Sequence, residues 1–316
     1  MSTICQSTAM DVIATTLAAA TDRCEPIEIC ECVSPSAVRQ LLAGRRKPVV
    51  IRGMIDRWPA LQRWTPDYLV DRCKDLEVDY VAEPRLLGVS RRAAFEGRSR
   101  VHGTFKQFVE ALVDEDGPRV YVLLSNLLKR APRLAEDFAP LEGCIPLSVP
   151  PFLKRRLVRG PLLWIGPKDM VSPLHLDPEH NLFSQVFGSK EWLVFPPSDQ
   201  RDLYVPWPEH PDAILNWSPI DVSSPDVDRF PRYARLTPYR HVLEPGEMLY
   251  LPAGWWHGVR YRGVAISVNM FWRDASVPWL CRRFFAVRFR RRLLRMIGLA
   301  ASLPKVESMS IAEKRA

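Results

Sequence analysis

Ser172-Pro173-Leu174-His175-Leu176-Asp177 and Pro252-Ala253-Gly254-Trp255-Trp256-His257-Gly258, whose histidine comes 80 residues after the aspartate, decide how this chain is read. Together they offer two imidazoles and one carboxylate, the donor set of a facial non-haem iron(II) site that leaves further metal positions open. On a strand, residues i and i+2 point to the same face, so His175 and Asp177 are expected to reach one ion while Leu176 turns into an apolar layer. His257 has to arrive from another strand or its end. Pro245-Gly246 is turn chemistry, and 248–251 reads as the strand that delivers Pro252 to His257. Each motif alone is short enough to be structural, and spacing by itself leaves that alternative open. The conjunction inside one β-rich region is what favours a metal site.

Around these motifs the β signals are dense. Strands are expected at 162–165, 174–177, 183–186, 191–195, 248–251 and 264–272, separated by Gly188-Ser189, Pro196-Pro197 and Pro245-Gly246. Short strands with tight turns point to a mainly β sandwich or barrel with flanking helices. Towards the N-terminus, 34–42 reads as a helix capped by Ser34, and 47–53 as a buried strand ending in a turn. Thr65 caps a helix with Pro66 at its first position. Strand is expected at 76–81, helix at 105–112 and strand at 119–124. The Pro-rich stretch 204–239 reads as an irregular lid or binding loop. His180 is the one serious rival ligand among the remaining histidines, and is expected to line the site rather than bind metal.

The chain's 316 residues allow one large domain, and its 47% apolar and 25% charged fractions suit a globular protein. The expected division is a loosely ordered leader at 1–26, one domain at 27–277 and a helical Arg-rich segment at 278–316. The net charge of +8 is mostly that segment's. Arg282, Arg283, Arg288, Arg290, Arg291, Arg292 and Arg295 account for seven of it, leaving +1 for the rest. The basic balance therefore gives no firm nucleic-acid or membrane partner. The seven cysteines have no disulfide-like rhythm, and Cys24, Cys30 and Cys32 match no common zinc spacing. Reduced thiols, with no apolar run long enough to span a bilayer and no secretory pattern, point to the cytoplasm.

Pro48 to Gly53, Arg119-Val120-Tyr121, Ser172 to Lys190, Trp192 to Pro197, Asp226 to Pro231 and Pro245 to Trp272 resemble, in order, the JmjC/cupin-like Fe(II)- and 2-oxoglutarate-dependent oxygenases. They look closest to the branch containing the asparaginyl hydroxylase that inhibits hypoxia-inducible factor. The resemblance implies a double-stranded β-helix, or jelly roll, with His175, Asp177 and His257 as iron ligands. It also implies Lys190 as the partner of the 2-oxoglutarate distal carboxylate, with the hydroxyls of Ser172 and Tyr121 completing the pocket and Asn181 and Asn269 lining it. Ser172 stands where the branch often has Thr, which keeps the hydroxyl and loses a methyl group. The implied reaction consumes dioxygen and 2-oxoglutarate and hydroxylates a C–H bond; on an N-methyl carbon this amounts to demethylation.

The substrate-reading positions depart from that branch. His210-Pro211-Asp212-Ala213 is followed by Ile214 and Leu215, and Leu123 replaces a polar residue. Three classes stay open: an oxygenase of protein or peptide side chains, an oxygenase of a small molecule or modified nucleoside, and a cupin without turnover. The stretch 279–300, which mixes apolar residues with the seven arginines, has three readings. It is a helix packed on the barrel, an anion-binding element, or, since similar hydroxylases dimerise through C-terminal helices, a homodimer interface.

Overall fold

The strands around the two motifs close into two sheets that face each other. The computed structural model describes residues 23–82, 100–114, 120–124, 131–139, 141–205 and 217–274. The described residues open with β1 (Glu25–Pro26), β2 (Ile29–Glu31), α1 (Pro35–Leu42), β3 (Val49–Arg52), α2 (Ala60–Arg63) and α3 (Pro66–Cys73). Then come β4 (Glu77–Ala82), β5 (Arg100–Thr104), α4 (Phe105–Val113), β6 (Val120–Leu124) and α5 (Pro151–Leu157). The barrel strands follow: β7 (Val158–Gly166), β8 (Val171–Leu176), β9 (His180–Phe187), β10 (Lys190–Phe195), β11 (Tyr239–Leu243), β12 (Met248–Leu251), β13 (Trp256–Tyr261) and β14 (Ala265–Trp272).

Among the described residues, five strands form one sheet in the order β1-β11-β10-β13-β8, and nine form the other in the order β2-β3-β12-β9-β14-β7-β6-β4-β5. From β7 to β14 the chain passes back and forth between the sheets, with β10 and β11 the one consecutive pair that stays in the same sheet. That winding is a jelly roll, as expected.

Local chemistry starts the helices where the sequence places them. The Ser34 hydroxyl accepts from Ala37 N–H, and the Thr65 hydroxyl accepts from Tyr68 N–H, so each satisfies a backbone donor that a helix start leaves unpaired. Thr104 and Gln107 form a reciprocal capping box at the head of α4. The helices pack on the nine-stranded sheet through a cluster that includes Trp64, Phe105, Phe108, Leu182, Val268 and Trp272. The buried Asp137 ties this layer together, accepting from Arg63, Trp64 and Tyr68 at 2.9 Å each. A second cluster, with Tyr121, Phe183, Trp192, Leu249 and Tyr261, fills the space between the sheets. A third covers the outer face of the smaller sheet, where Leu174, Leu176, Phe195 and Trp256 meet Leu203, Ile220 and Tyr233.

Being covered on both faces explains β9 and β14. Nearly every side chain along them is buried, so neither shows the polar–apolar alternation of a half-exposed strand. The β9–β10 turn needs a glycine. Gly188 has φ +63°, and a Cβ there would lie 2.1 Å from the Val264 carbonyl oxygen.

Two expectations shift. β8 begins at Val171 and ends at Leu176, so Asp177 lies just beyond the strand. His257 does not end the strand at 248–251; that strand, β12, belongs to the larger sheet, and His257 sits on β13 in the smaller one. The stretch 204–239 is irregular where described, with one short 3-10 turn at Tyr233–Arg235 and an isolated bridge at Trp217. The Arg-rich segment and the residues around Ile214 lie outside the described residues, as does the side chain of Leu123.

Candidate metal centre

β8 and β13 run antiparallel with His175 directly opposite His257. Residues facing each other across such a pair project from the same side, and the two imidazole centroids are 4.2 Å apart. Asp177 joins them from the turn after β8, held by a backbone bond from Gly254 N–H to its carbonyl oxygen at 2.9 Å. The two motifs are thus tied to each other both by the β8–β13 ladder and by this bond. One ligand atom from each of His175, Asp177 and His257 lies within 4.8 Å of the others, the one such group of metal-binding side chains among the described residues. His257 Nε2 is 3.8 Å from Asp177 Oδ2.

The imidazoles are oriented by the backbone. His175 Nδ1 lies 2.7 Å from the Pro173 carbonyl, and His257 Nδ1 lies 3.2 Å from the Trp255 carbonyl. A carbonyl only accepts, so each Nδ1 carries the proton and each Nε2 keeps its lone pair for a metal. Burial lowers the His257 pKa to about 3, reinforced by His175 and opposed by Asp177 and the Trp255 carbonyl. His257 is therefore neutral, the form that ligates, at any ordinary pH.

A bulge brings Ser172 to the same side. Between the pairs His257↔His175 and Val259↔Ser172, β8 spends one residue more than β13. Three residues apart on a regular strand, Ser172 and His175 would face opposite ways. The extra residue resets the alternation, and Ser172 stands opposite Val259 of the inner cluster.

Lys190 opens β10 on the inner face, two residues before Trp192. It is 1% exposed, and its Nζ has no hydrogen-bond partner among the described residues. What surrounds it is aromatic: Nζ lies 4.1 Å from the Tyr261 ring centroid and 4.8 Å from that of Phe183. Burial holds its pKa well below the usual lysine value. An unpaired buried ammonium is costly, and the chemistry that relieves it is an anion. Tyr121 belongs to the same inner cluster. Asn181 on β9 and Asn269 on β14 are buried and bonded to each other, Asn269 Nδ2 donating to Asn181 Oδ1 at 2.9 Å, while Trp164 Nε1 donates to Asn269 Oδ1 at 2.7 Å.

The eight expected site residues thus fall on or between the facing sides of the two sheets. His180 does not. It alternates with Asn181 and so faces the helix layer, stacked between Tyr250 and Trp272 and bonded to the Tyr250 hydroxyl at 2.9 Å. Two tryptophans went unnoticed in the sequence. Trp192 stacks on His257 at 5.7 Å, and Trp217 stacks on His175 at 5.5 Å while forming a backbone bridge to it. Both indole N–H groups are buried without a partner among the described residues. Trp192 was findable, being two residues from Lys190 on one strand; nothing in the irregular stretch before β11 marks Trp217.

A double-stranded β-helix carrying a His–Asp–His cluster at facing strands defines the class. The match to known proteins agrees: the chain belongs to the cupin-like domain family, whose model covers residues 35–277, in its JmjC branch. It is 31% identical over 229 residues to Lysine-specific demethylase 8 of Xenopus tropicalis, covering 72% of this chain and 48% of that protein. It is 29% identical over 263 residues to the human Bifunctional peptidase and (3S)-lysyl hydroxylase JMJD7, covering 72% and 77%. With the human tRNA wybutosine-synthesizing protein 5 it shares 27% over 260 residues, 78% of each. The chain spans about half the length of the first of these and of the Drosophila melanogaster Jumonji C domain-containing protein 5.

Proposed function

We propose that this protein is an Fe(II)- and 2-oxoglutarate-dependent dioxygenase that hydroxylates a protein or peptide side chain, or demethylates one through its N-methyl carbon. The observation that carries the reading is the pairing of a two-histidine, one-carboxylate cluster with a buried, unpartnered lysine on the same inner space. The donor set suits iron(II) with open positions, and the lysine suits a dicarboxylate. Iron(II), with 2-oxoglutarate and dioxygen, supplies the oxidation: one oxygen atom enters the substrate C–H bond and the other enters succinate as carbon dioxide leaves.

The chain's own residues do the rest. His175 and His257 present Nε2 lone pairs, and Asp177 brings the negative charge that balances the metal. Lys190 receives the distal carboxylate and takes up the charge that burial denies it when alone. The hydroxyls of Ser172 and Tyr121 complete the pocket, with Asn181 and Asn269 bracing β9 against β14 along its wall. Trp192 and Trp217 pack on the two imidazoles and exclude water from them.

Protein substrates are supported by the relatives named as a demethylase and a lysyl hydroxylase. A modified nucleoside is the second reading, favoured by the wybutosine-synthesizing relative that matches over 78% of both chains. The likeness to the asparaginyl hydroxylase carries no substrate, because Ile214 and Leu215 lack the polar groups that would read its peptide. In the same reading, residues 27–277, with the two-residue strand β1 just ahead of them, make up the oxygenase domain of a cytoplasmic enzyme. Residues 278–316 are its candidate homodimer segment. Purified protein with iron(II) is expected to release succinate from 2-oxoglutarate, faster with the right partner from a panel of peptides, nucleosides and metabolites. Mass spectrometry then assigns the added oxygen to peptide or nucleoside. Absence of succinate with every member of the panel would leave the cupin without turnover as the correct reading.

A further inference from the structure

We propose that the outer face of the five-stranded sheet carries a second ligand site, for a small organic anion with an apolar body. A cavity of about 280 Å³ lies there, lined by residues of β8, β10, β11 and β13 and of the irregular stretch before β11. It is back to back with the metal cluster. Glu191 and Leu193 line the cavity, whereas Lys190 and Trp192, which alternate with them along β10, point inward. None of the residues assigned to iron or 2-oxoglutarate touches it.

The shape and the charge specify the ligand together. Gly258 leaves the floor of the cavity without a side chain, and a Cβ there would lie 2.6 Å from Val222 Cγ2, so the covering stretch packs down onto β13. Leu193, Val222, Val227 and Tyr233 give apolar walls. The volume is just below the range typical of small-molecule sites, which limits the body to a short chain or a ring. Among the described residues the charged lining is Arg240, Arg260 and Arg262 against the single acid Glu191. Glu191 accepts from Arg240 Nε at 2.6 Å and from Arg262 Nη2 at 3.3 Å, so one carboxylate serves two guanidiniums. Arg260 turns to Asp169, 3.1 Å away. All three arginine side chains are about half exposed, and each guanidinium has five N–H donors, more than these partners use. Surplus positive charge beside a low-dielectric wall attracts an anion and repels a cation. A carboxylate or phosphate head on an apolar body satisfies both parts of the lining; a neutral apolar molecule leaves the arginines unused.

The test uses the 316-residue chain without iron and three probes of equal chain length: octanoate, octyl phosphate and octanol, titrated by calorimetry. At least one anion is expected to bind about tenfold more tightly than octanol, the equivalent of one good charge-assisted contact. Whichever head binds more tightly tells a carboxylate ligand from a phosphate ester. Arg260→Gln combined with Arg262→Gln should remove the preference for the anion, and Leu193→Trp should fill the cavity and abolish binding. Lys190→Met, which changes only the inner space, should leave octanoate binding as it was. Octanol binding as tightly as both anions, no binding of either anion, or loss of octanoate binding in Lys190→Met would overturn the proposal. These outcomes are independent of whether the protein turns over 2-oxoglutarate.

Discussion

Lys190 is the residue on which the cosubstrate assignment turns. A lysine after a Gly-Ser turn is ordinarily a solvated surface group, and composition offers no hint otherwise. The fold reverses that reading by placing Nζ near the rings of Phe183 and Tyr261 with no acceptor among the described residues. On the proposed reading, an amine buried this way destabilises the protein on its own and regains its charge in the complex with a dicarboxylate. Lys190→Met is therefore expected to separate two quantities that usually fall together. Affinity for 2-oxoglutarate should drop by about 2 kcal/mol or more, roughly 30-fold, while the melting temperature of the ligand-free protein stays level or rises. A variant that melts lower and still binds 2-oxoglutarate would show that the lysine is structural. The histidines teach a related lesson. His175 and His180 are five residues apart and both partly or wholly buried, yet one carbonyl at Pro173 readies the first for a metal, and the Tyr250 hydroxyl occupies the second.

Among the elements, the turns and caps were legible and the exchanges between sheets were not. Ser34, Thr65-Pro66 and the Gly188-Ser189 turn act through neighbours in the sequence, so their reading carries straight into the structure. The position of β13 depends on partners far along the chain. Pro252 to Trp255 lead from β12 in one sheet to β13 in the other, and no local pattern marks the passage. Strand periodicity brought His175 and Asp177 together for a partly mistaken reason, since β8 ends between them and the Gly254–Asp177 bond completes the placement. The bulge that turns Ser172 inward is equally invisible in a sequence, because only the partner strand defines the extra residue. The β9–β10 turn offers a sharp check. Gly188→Ala needs both an unfavourable φ and a shift of the Val264 carbonyl, and is expected to destabilise the protein by about 3 kcal/mol in chemical denaturation. A loss below about 0.5 kcal/mol, the scale of a neutral surface change, would contradict so close an approach of the two backbones.

At the scale of the whole molecule, the His–Asp–His cluster makes stability depend on pH in a definite direction. His257 has a pKa of about 3 in the folded chain against an ordinary 6.5. Between those values the unfolded chain takes up a proton that the folded chain refuses, so stability falls as the pH drops from 6.5 towards 3. Iron held by neutral imidazoles should be released over the same descent, and thermal unfolding followed with and without iron(II) would show the iron-dependent gain disappearing in acid. No described helix is long and apolar enough to cross a membrane. The two sheets and their helix layer serve to hold one cluster and one lysine in a closed inner space, and that arrangement is the central claim. Anaerobic titration of the purified protein with iron(II) and then 2-oxoglutarate, followed by visible absorption, tests it most directly. The account predicts a charge-transfer band that forms at one iron per chain, is absent in His175→Ala, and needs far more 2-oxoglutarate in Lys190→Met; a band that forms unchanged in both variants would contradict it.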